Sequence, residues 1–419
     1  MSDATKAEKI RFTLKATRDK RKNQTCKTYE LKIDSSHLSN EKKSILSRIF
    51  LEAKWFYNHI LSQDDLWNQD YKIEKVRVKL KDGTFEDRDL QYLSSQVRQE
   101  IIDRTKDNIR GLSRAKSYGS AVGKLKFKSR IHSIPLKQYG NTYSIIDKKR
   151  IRIQNVGKLK VLGLDQIPRN AEPASAILEQ RNGDYYLHVA AYSSEVEKTF
   201  QCSGIGIDFG IKNQLTLSNG IAVKEGAFIT GKIKKLHEEL SRRVYRSKNW
   251  YRTRQKLQKE YQKISNQRKD QRNKIVSALT SQYEKIGFQN DSIKGWMCMW
   301  GRKVQASEIG GIMSDLKRKT HTLIVIPRYI PTSQTCSRCG HRERISLSER
   351  IFNCEDCSLV MDRDLNAAIN ALNENVPVEY REVKPVDTKT NTELMDYLNR
   401  IPGVSASLVV ETGSLRALA

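Results

Sequence analysis

Four of the seven cysteines stand as two pairs, in CSRCG (Cys336 to Gly340) and CEDC (Cys354 to Cys357), with fourteen residues between the pairs. Each C-x-x-C turn can direct two sulfurs at one ion, so Cys336, Cys339, Cys354 and Cys357 make the donor set of a tetrahedral zinc site. Four protein thiolates leave no position for water, and the role of such a zinc is structural. The other cysteines, Cys26, Cys202 and Cys298, are scattered. That distribution suits reduced thiols in the cytosol better than a disulfide framework.

Two aspartates stand at places where a carboxylate can bind a hard cation. Asp208 closes the hydrophobic run of IGIDFGIK, and Asp364 lies in MDRDLNAAINAL, where Leu365, Ala368, Ile369 and Leu372 define a helix face. Each alone reads equally well as an ordinary strand-end residue or a plain helix cap. A related stretch, KIGFQNDSIKGWM (Lys285 to Met297), has an amide, Gln289, after its hydrophobic lead, and its nearest carboxylate is Asp291. Side chains at i and i+2 of a strand face one side, so Asp291 points where residue 289 points if the extended chain continues that far. Otherwise it is an exposed loop residue.

The remaining chemistry is electrostatic. Lysine and arginine number 76 against 48 acidic residues, a net charge of +28, which makes nucleic acid the leading partner. The charge is concentrated: residues 232–274 carry 16 basic and 4 acidic side chains. Sparse apolar positions at Leu236, Leu240, Leu257, Tyr261 and Ile264 predict two basic helices joined near Ser247. There Arg242, Arg243, Arg246, Arg252 and Arg254 interleave with Tyr245, Trp250 and Tyr251, a composition suited to a phosphate backbone rather than to a merely solvated face.

The elements that must position these residues fall into blocks. TYELKI (Thr28 to Ile33) alternates as a strand, and the fold is expected to begin there. Residues 40–125 read as a helical insertion, with an apolar stripe through Ile45, Ile49, Phe56 and Ile60 and a second helix over Leu93 to Leu112. In this stripe Trp55, Phe56 and Tyr57 read as core rather than as a stacking platform. Alternation returns over 126–198, with a hairpin turn at Asn182-Gly183, so the interrupted strands predict a β-barrel. Residues 204–223 read as a buried strand and a hairpin turning at Asn219-Gly220. No apolar run approaches the ~18 residues that cross a bilayer, and the N-terminus lacks a signal-peptide core; a cytoplasmic protein without membrane contact is expected.

Taken in series, GIDFGIK, the basic helices, SQTCSRCG and DRDLNAAIN resemble TnpB, the transposon-associated RNA-guided nuclease, and the miniature type V CRISPR effectors related to it. The resemblance covers nearly the whole chain. It implies an α+β multidomain fold: a wedge-type β-barrel (1–39 and 126–198), a helical recognition domain (40–125), an RNase H-like RuvC nuclease core of α/β type (199–330 and 358–373), an inserted zinc ribbon that binds target nucleic acid (331–357) and a C-terminal tail (374–419). The IPGVSASLVVETGSLRAL segment of that tail also resembles tails in this group.

The activity implied is RNA-guided DNA cleavage, with guide RNA and target DNA as partners and two Mg2+ or Mn2+ ions as cofactors beside the structural zinc. By the same resemblance Asp208 supplies the first carboxylate and Asp364 the last, with Asp362 in support. The family's glutamate falls at Gln289, so the middle carboxylate is either missing or supplied by Asp291. Two further readings follow: a guided DNA-binding repressor that has lost cleavage, and a strand-transferring transposase, which the ribbon and DRDLNAA disfavour.

Overall fold

The structure, a computed structural model, describes residues 6–80, 82–194, 199–225, 231–346, 348–373 and 388–409. Most of the expected tail, including the end of IPGVSASLVVETGSLRAL, lies outside the described residues. The chain divides into two compact units, Met1–Val196 and Glu197–Ala419.

In the first unit a helix, α1 (Lys6–Lys22), precedes the strand expected to begin the fold, β1 (Gln24–Ile33). Then come α2 (Asn40–Ser62), a hairpin of β2 (Lys75–Lys79) and β3 (Phe85–Asp89), and α3 (Ser95–Ser117). Six further strands follow: β4 (Ser133–Leu136), β5 (Tyr143–Ile145), β6 (Arg150–Ile153), β7 (Gly157–Leu162), β8 (Glu172–Arg181) and β9 (Asp184–Ser194). The long β8–β9 hairpin turns at Asn182 and Gly183, both with positive φ (52° and 89°), as the Asn-Gly pair demands.

These strands form one antiparallel sheet in the order β4-β8-β9-β1-β7-β6-β5. The expected barrel is instead an open, curled half-barrel. Its edge strands, four and three residues long, ladder with β8 and β6 but not with each other, and a single bridge, Tyr139 to Tyr143, lies near the gap. Helices α2 and α3 share the core, burying Leu46, Phe50, Trp55, Phe56, Ile101 and Ile102 with the sheet's Leu31, Ile151 and Leu187. The aromatic run is therefore core.

The second unit begins with β10 (Cys202–Phe209), β11 (Leu215–Leu217) and β12 (Ile221–Glu225), then α4 (Gly231–Ser241) and the 35-residue α5 (Lys248–Gln282). Ser247 caps α5, its side chain accepting from the Trp250 amide at 3.1 Å. β13 (Tyr283–Gln289), α6 (Ile293–Ala306), α7 (Ile309–Lys319) and β14 (Thr322–Ile326) come next. The short β15 (Ile351–Asn353) and β16 (Val360–Asp362) lead to α8 (Arg363–Asn373), and α9 (Thr388–Asn399) and β17 (Val404–Leu408) complete the described unit.

The main sheet runs β14-β13-β10-β11-β12-β17. β10, β11 and β12 pair antiparallel, whereas β10-β13 and β13-β14 are parallel. The alternation of GIGIDF explains the layering. Ile205, Ile207 and Phe209 enter a core with Ile275, Val276 and Leu279 of α5 and Ile312 and Leu316 of α7. Gly204, Gly206 and Asp208 occupy the opposite face, where α8 lies across β10 and β13. Residues 388–408 are integral to this unit: β17 pairs with β12, and Leu394, Leu398 and Val404 join the core. A buried amide pair, Asn219 Nδ2 to Asn391 Oδ1 at 2.9 Å, fastens α9 to the turn before β12.

Candidate metal-carboxylate site and zinc ribbon

Three elements bring carboxylates near enough for their charges to act on Asp208. Asp208 lies next to the C-terminal end of β10, on the face occupied by α8. The parallel register sets Ile207 against Phe288, so Gln289, the next residue of β13, stands beside Asp208. The strand stops there, however. The Asp291 amide bonds back to the Gln289 carbonyl at 3.0 Å, and the Ile293 amide to the Asp291 carbonyl at 3.1 Å. The extended continuation that sequence left open is not present, and these tight turns bring Asp291 round toward Asp208 before Ser292 caps α6.

The third element is α8. Its cap is Asp362 and not Asp364: Asp362 Oδ1 accepts from the amides of Asp364 (2.8 Å) and Leu365 (3.1 Å). This leaves the Asp364 side chain free of capping, flanked by Arg363 at 3.2 Å and Arg350 at 3.5 Å. The Asp208 carboxyl is pushed well above the ordinary range, by burial first and then by the nearby charges of Asp364, Asp291 and Asp362, opposed by Arg363. Burial raises Asp291 to about 6 against the pull of Arg328. Crowded, desolvated carboxylates of this kind fit a divalent cation, whose charge reverses the cost of ionising them together.

The close seat of α8 depends on missing side chains. A Cβ on Gly206 would stand 1.9 Å from the Ala368 carbonyl oxygen, and one on Gly287 would stand 2.1 Å from that of Ala371. Only glycine lets this helix backbone lie on the sheet and carry Asp364 to Asp208.

Gln289 does something that its sequence position did not suggest. Its Nε2 donates to the carbonyls of Pro327 (3.2 Å), Arg328 (3.2 Å) and Ile330 (2.6 Å), and its Oε1 accepts from Thr332 Oγ1 (3.1 Å). The side chain thus gathers the loop that leaves β14. A glutamate could not do this, because a carboxylate has no proton to offer three carbonyl oxygens.

That loop enters the cysteine module. The four Sγ atoms lie within 4.8 Å of one another, with Cys336–Cys357 and Cys339–Cys354 at 3.5 Å. Tetrahedral thiolates about 2.3 Å from zinc sit roughly 3.7 Å apart, so the donor set fits. Both turns share one fold: the Gly340 amide returns to Cys336 O and the Ser358 amide to Cys354 O, each at 3.0 Å, with positive φ at both residues (80° and 57°). The second turn caps the β15–β16 hairpin, whose last residue, Asp362, caps α8.

Two buried asparagines of α8 hold the other side of the module. Asn366 accepts from the Ser337 amide (2.9 Å) and donates to Thr335 O (2.8 Å), while Asn370 donates to the carbonyls of Thr332 (2.8 Å) and Thr335 (2.6 Å). The asparagines of DRDLNAAIN therefore dock the cysteine module on the helix that carries Asp364. Sequence reasoning missed this role, although their spacing of four residues on an otherwise apolar face was visible.

The five predicted nucleic-acid arginines cluster around the α4–α5 junction. Arg246 lies over Tyr245 (5.1 Å) and Arg254 over Trp250 (5.2 Å), and the Trp250 ring meets Tyr245 and Tyr251 edge to face. Arg242 and Arg252 are exposed, and Arg243 is paired with Glu239 at 2.9 Å. Among the described residues, no helix is long and apolar enough to cross a membrane.

Family models match two segments that bracket this site. Residues 313–371, spanning the cysteine module and most of α8, match the "Cas12f1-like, TNB domain", and residues 188–295, which include Asp208 and Asp291, match a family described as "Probable transposase" (OrfB_IS605). The chain is thus similar to TnpB-like proteins and to the miniature effectors related to them.

Individual relatives agree. The chain is 26% identical over 217 residues to a "Putative RNA-guided DNA endonuclease" of Streptomyces pristinaespiralis, covering 49% of this chain and 54% of that one. It is 28% identical over 237 residues to the "Putative RNA-guided DNA endonuclease InsQ" of Escherichia coli K12, covering 49% and 58%. The TnpB-like protein L79 of Acanthamoeba polyphaga mimivirus is 24% identical over 229 residues, covering 47% and 42%. The chain spans about half the length of the curated relatives it matches. A solved structure of a Cas12f1–sgRNA–target DNA complex aligns over 84% of this chain and 99% of that one, at 14% identity and a TM-score of 0.46.

Proposed function

We propose that this chain is an RNA-guided DNA endonuclease with a RuvC-like site for two divalent ions, formed by Asp208, Asp291 and Asp364. The observation that carries the reading is the convergence of these carboxylates from a strand end, a tight turn and the first turn of a helix. The sheet supports it: three antiparallel strands followed by two parallel ones added beside the first is the RNase H-like order. The relatives' names supply the guide and the DNA.

Magnesium or manganese, when bound, would polarise the scissile phosphodiester and acidify the attacking water. The chain's own work is positional. Gly206 and Gly287 seat α8, Asp362 fixes its first turn, Arg350 and Arg363 steady the Asp364 carboxylate, and Gln289 holds the neighbouring loop. On this reading the half-barrel (1–39 and 126–198) and the insertion (40–125) hold guide and heteroduplex, the 331–357 ribbon meets target nucleic acid, and the 199–330 and 358–373 segments cut. A guided binder without cleavage is favoured by one observation, the capture of the Gln289 amide by carbonyls. One experiment separates the two: sequence the RNA that co-purifies with the chain, then assay that complex on a matched plasmid library with magnesium. Linear product supports the nuclease, and retention without cutting supports the binder.

One zinc is expected per chain, held by Cys336, Cys339, Cys354 and Cys357. The Cys354→Ser protein should lose it and unfold the ribbon, because folding and metal binding are coupled in such modules. Metal analysis with thermal unfolding checks this, and a variant that keeps one zinc at unchanged stability would refute it.

Binding should weaken steeply with salt. Alanine at Arg242 and at Arg246 should each lower the slope of log affinity against log salt by about one unit. Arg243→Ala should do less, since Glu239 already neutralises that side chain. Equal slopes in all variants would show that the junction faces only solvent.

A further inference from the structure

The first unit contains a cavity of about 380 Å³ between α2, α3 and the chain entering β4. Its wall is cationic: α3 contributes Arg104 and Asn108, the returning chain contributes Lys128, Arg130 and His132, and Tyr57 of α2 closes one side. Among the described residues no carboxylate lines it, and neither Arg104 nor Lys128 is paired with one. Neutral groups orient the two cations instead. Arg104 Nη1 donates to the Ser133 carbonyl (3.2 Å) and hydroxyl (3.1 Å), and Lys128 Nζ sits 4.3 Å from the centre of the Tyr57 ring.

One basic group nearby is treated differently. Arg110, on the same helix, meets Asp107 at 2.9 Å. In the cavity, by contrast, burial disfavours the charge on Arg104, and burial together with the Arg104 charge disfavours that on Lys128. Bringing two like charges together in a partly desolvated site costs free energy that an anion would return. The donors suit a phosphate: a guanidinium fork, an ammonium and an amide, with a third cation, Arg130, at the rim. The volume leaves room for the sugar attached to it.

We propose that this cavity is a phosphate site that seats one backbone phosphodiester of the bound nucleic-acid strand. The proposal rests on the reading of the chain as a nucleic-acid-binding protein. It adds a fixed point that sets the strand's register on the first unit, apart from the diffuse attraction of a basic surface.

The test uses the full chain, the Arg104→Gln/Lys128→Gln double variant and Asn108→Asp. Thermal unfolding is compared in sodium phosphate and in sodium chloride of equal ionic strength. Binding of a short fluorescein-labelled single-stranded RNA and of a labelled DNA duplex is measured across salt. Phosphate should raise the wild-type Tm more than that of the double variant. The double variant should bind its strand about tenfold more weakly, with a salt slope smaller by roughly 0.7 if the strand is RNA or 0.9 if it is duplex DNA.

Asn108→Asp gives the sharper result. A carboxylate among the cations should raise Tm in chloride and yet weaken nucleic-acid binding, two shifts of opposite sense that a purely structural role would not produce. Unchanged binding by the double variant, or by Asn108→Asp without a rise in Tm, overturns the proposal. If the wild type binds neither RNA nor DNA, the functional reading fails and the phosphodiester with it, while the phosphate-dependent Tm still decides whether the cavity holds an anion.

Discussion

Asp291→Asn is expected to slow DNA cleavage by roughly 10³-fold, about 4 kcal/mol of lost transition-state stabilisation, while guided binding persists. The charge of this carboxylate acts on the buried Asp208, and if two divalent ions are held there as proposed, removing it would leave less to offset their repulsion. Calorimetric titration with manganese should show the same loss independently of any guide. The companion variant, Gln289→Glu, restores the glutamate that the resemblance places there but is not expected to improve cleavage. Its carboxylate would face the three carbonyl oxygens that the Gln289 amide now bonds, losing about 0.5–1.5 kcal/mol for each hydrogen bond, and the loop into the cysteine module would loosen. Rapid cleavage by the Asp291→Asn complex would end the argument for this carboxylate.

Gly206→Ala should be nearly as damaging, though it touches no charged group. The added methyl would lie 1.9 Å from the Ala368 oxygen. Backbone, unlike a flexible side chain, cannot swing aside, so α8 must lift from the sheet and take Asp364 with it. Overpacking of this kind costs about 1–3 kcal/mol or more, and a displacement on the ångström scale at reacting groups can cost on the order of 10²-fold in rate. Gly287→Ala, under Ala371, should behave alike. Thermal unfolding and manganese affinity should fall together in both. A Gly206→Ala protein with wild-type manganese binding would show that α8 does not set the site.

The sequence exposed those features that one segment encodes alone. The alternation of GIGIDF, the Asn182-Gly183 and Asn219-Gly220 turns, the paired cysteine turns and the junction at Ser247 all reappear in the structure, because period, turn chemistry and capping are local. Asp82-Gly83 in the β2–β3 hairpin was an equally local signal that the helical reading of 40–125 passed over. What stayed hidden depends on partners distant in sequence. Nothing near Gln289 announces that three carbonyls from 327–330 will meet its amide, and Asn366 and Asn370 look like ordinary helix residues until Thr332 and Thr335 arrive. The half-barrel's opening likewise follows from helices filling a space that strand periodicity cannot see. Asp362 and Asp364 were both legible as acids at a helix start, but which one caps is decided by a hydrogen bond.

The pairing of β12 with β17 also constrains how the chain is made. The first unit is complete in sequence by the end of β9, and as a ribosome adds some 5–20 residues per second it can fold while the rest is still being synthesised. The second unit cannot finish so early, because Ile221 must wait for Leu408. Throughout that interval β12 presents an unpaired edge with Ile221 and Val223 uncovered, and such an edge invites another chain to add to it. Slower translation would lengthen this exposure, so the yield of soluble protein should be sensitive to codon choice after residue 225 and much less so before residue 194.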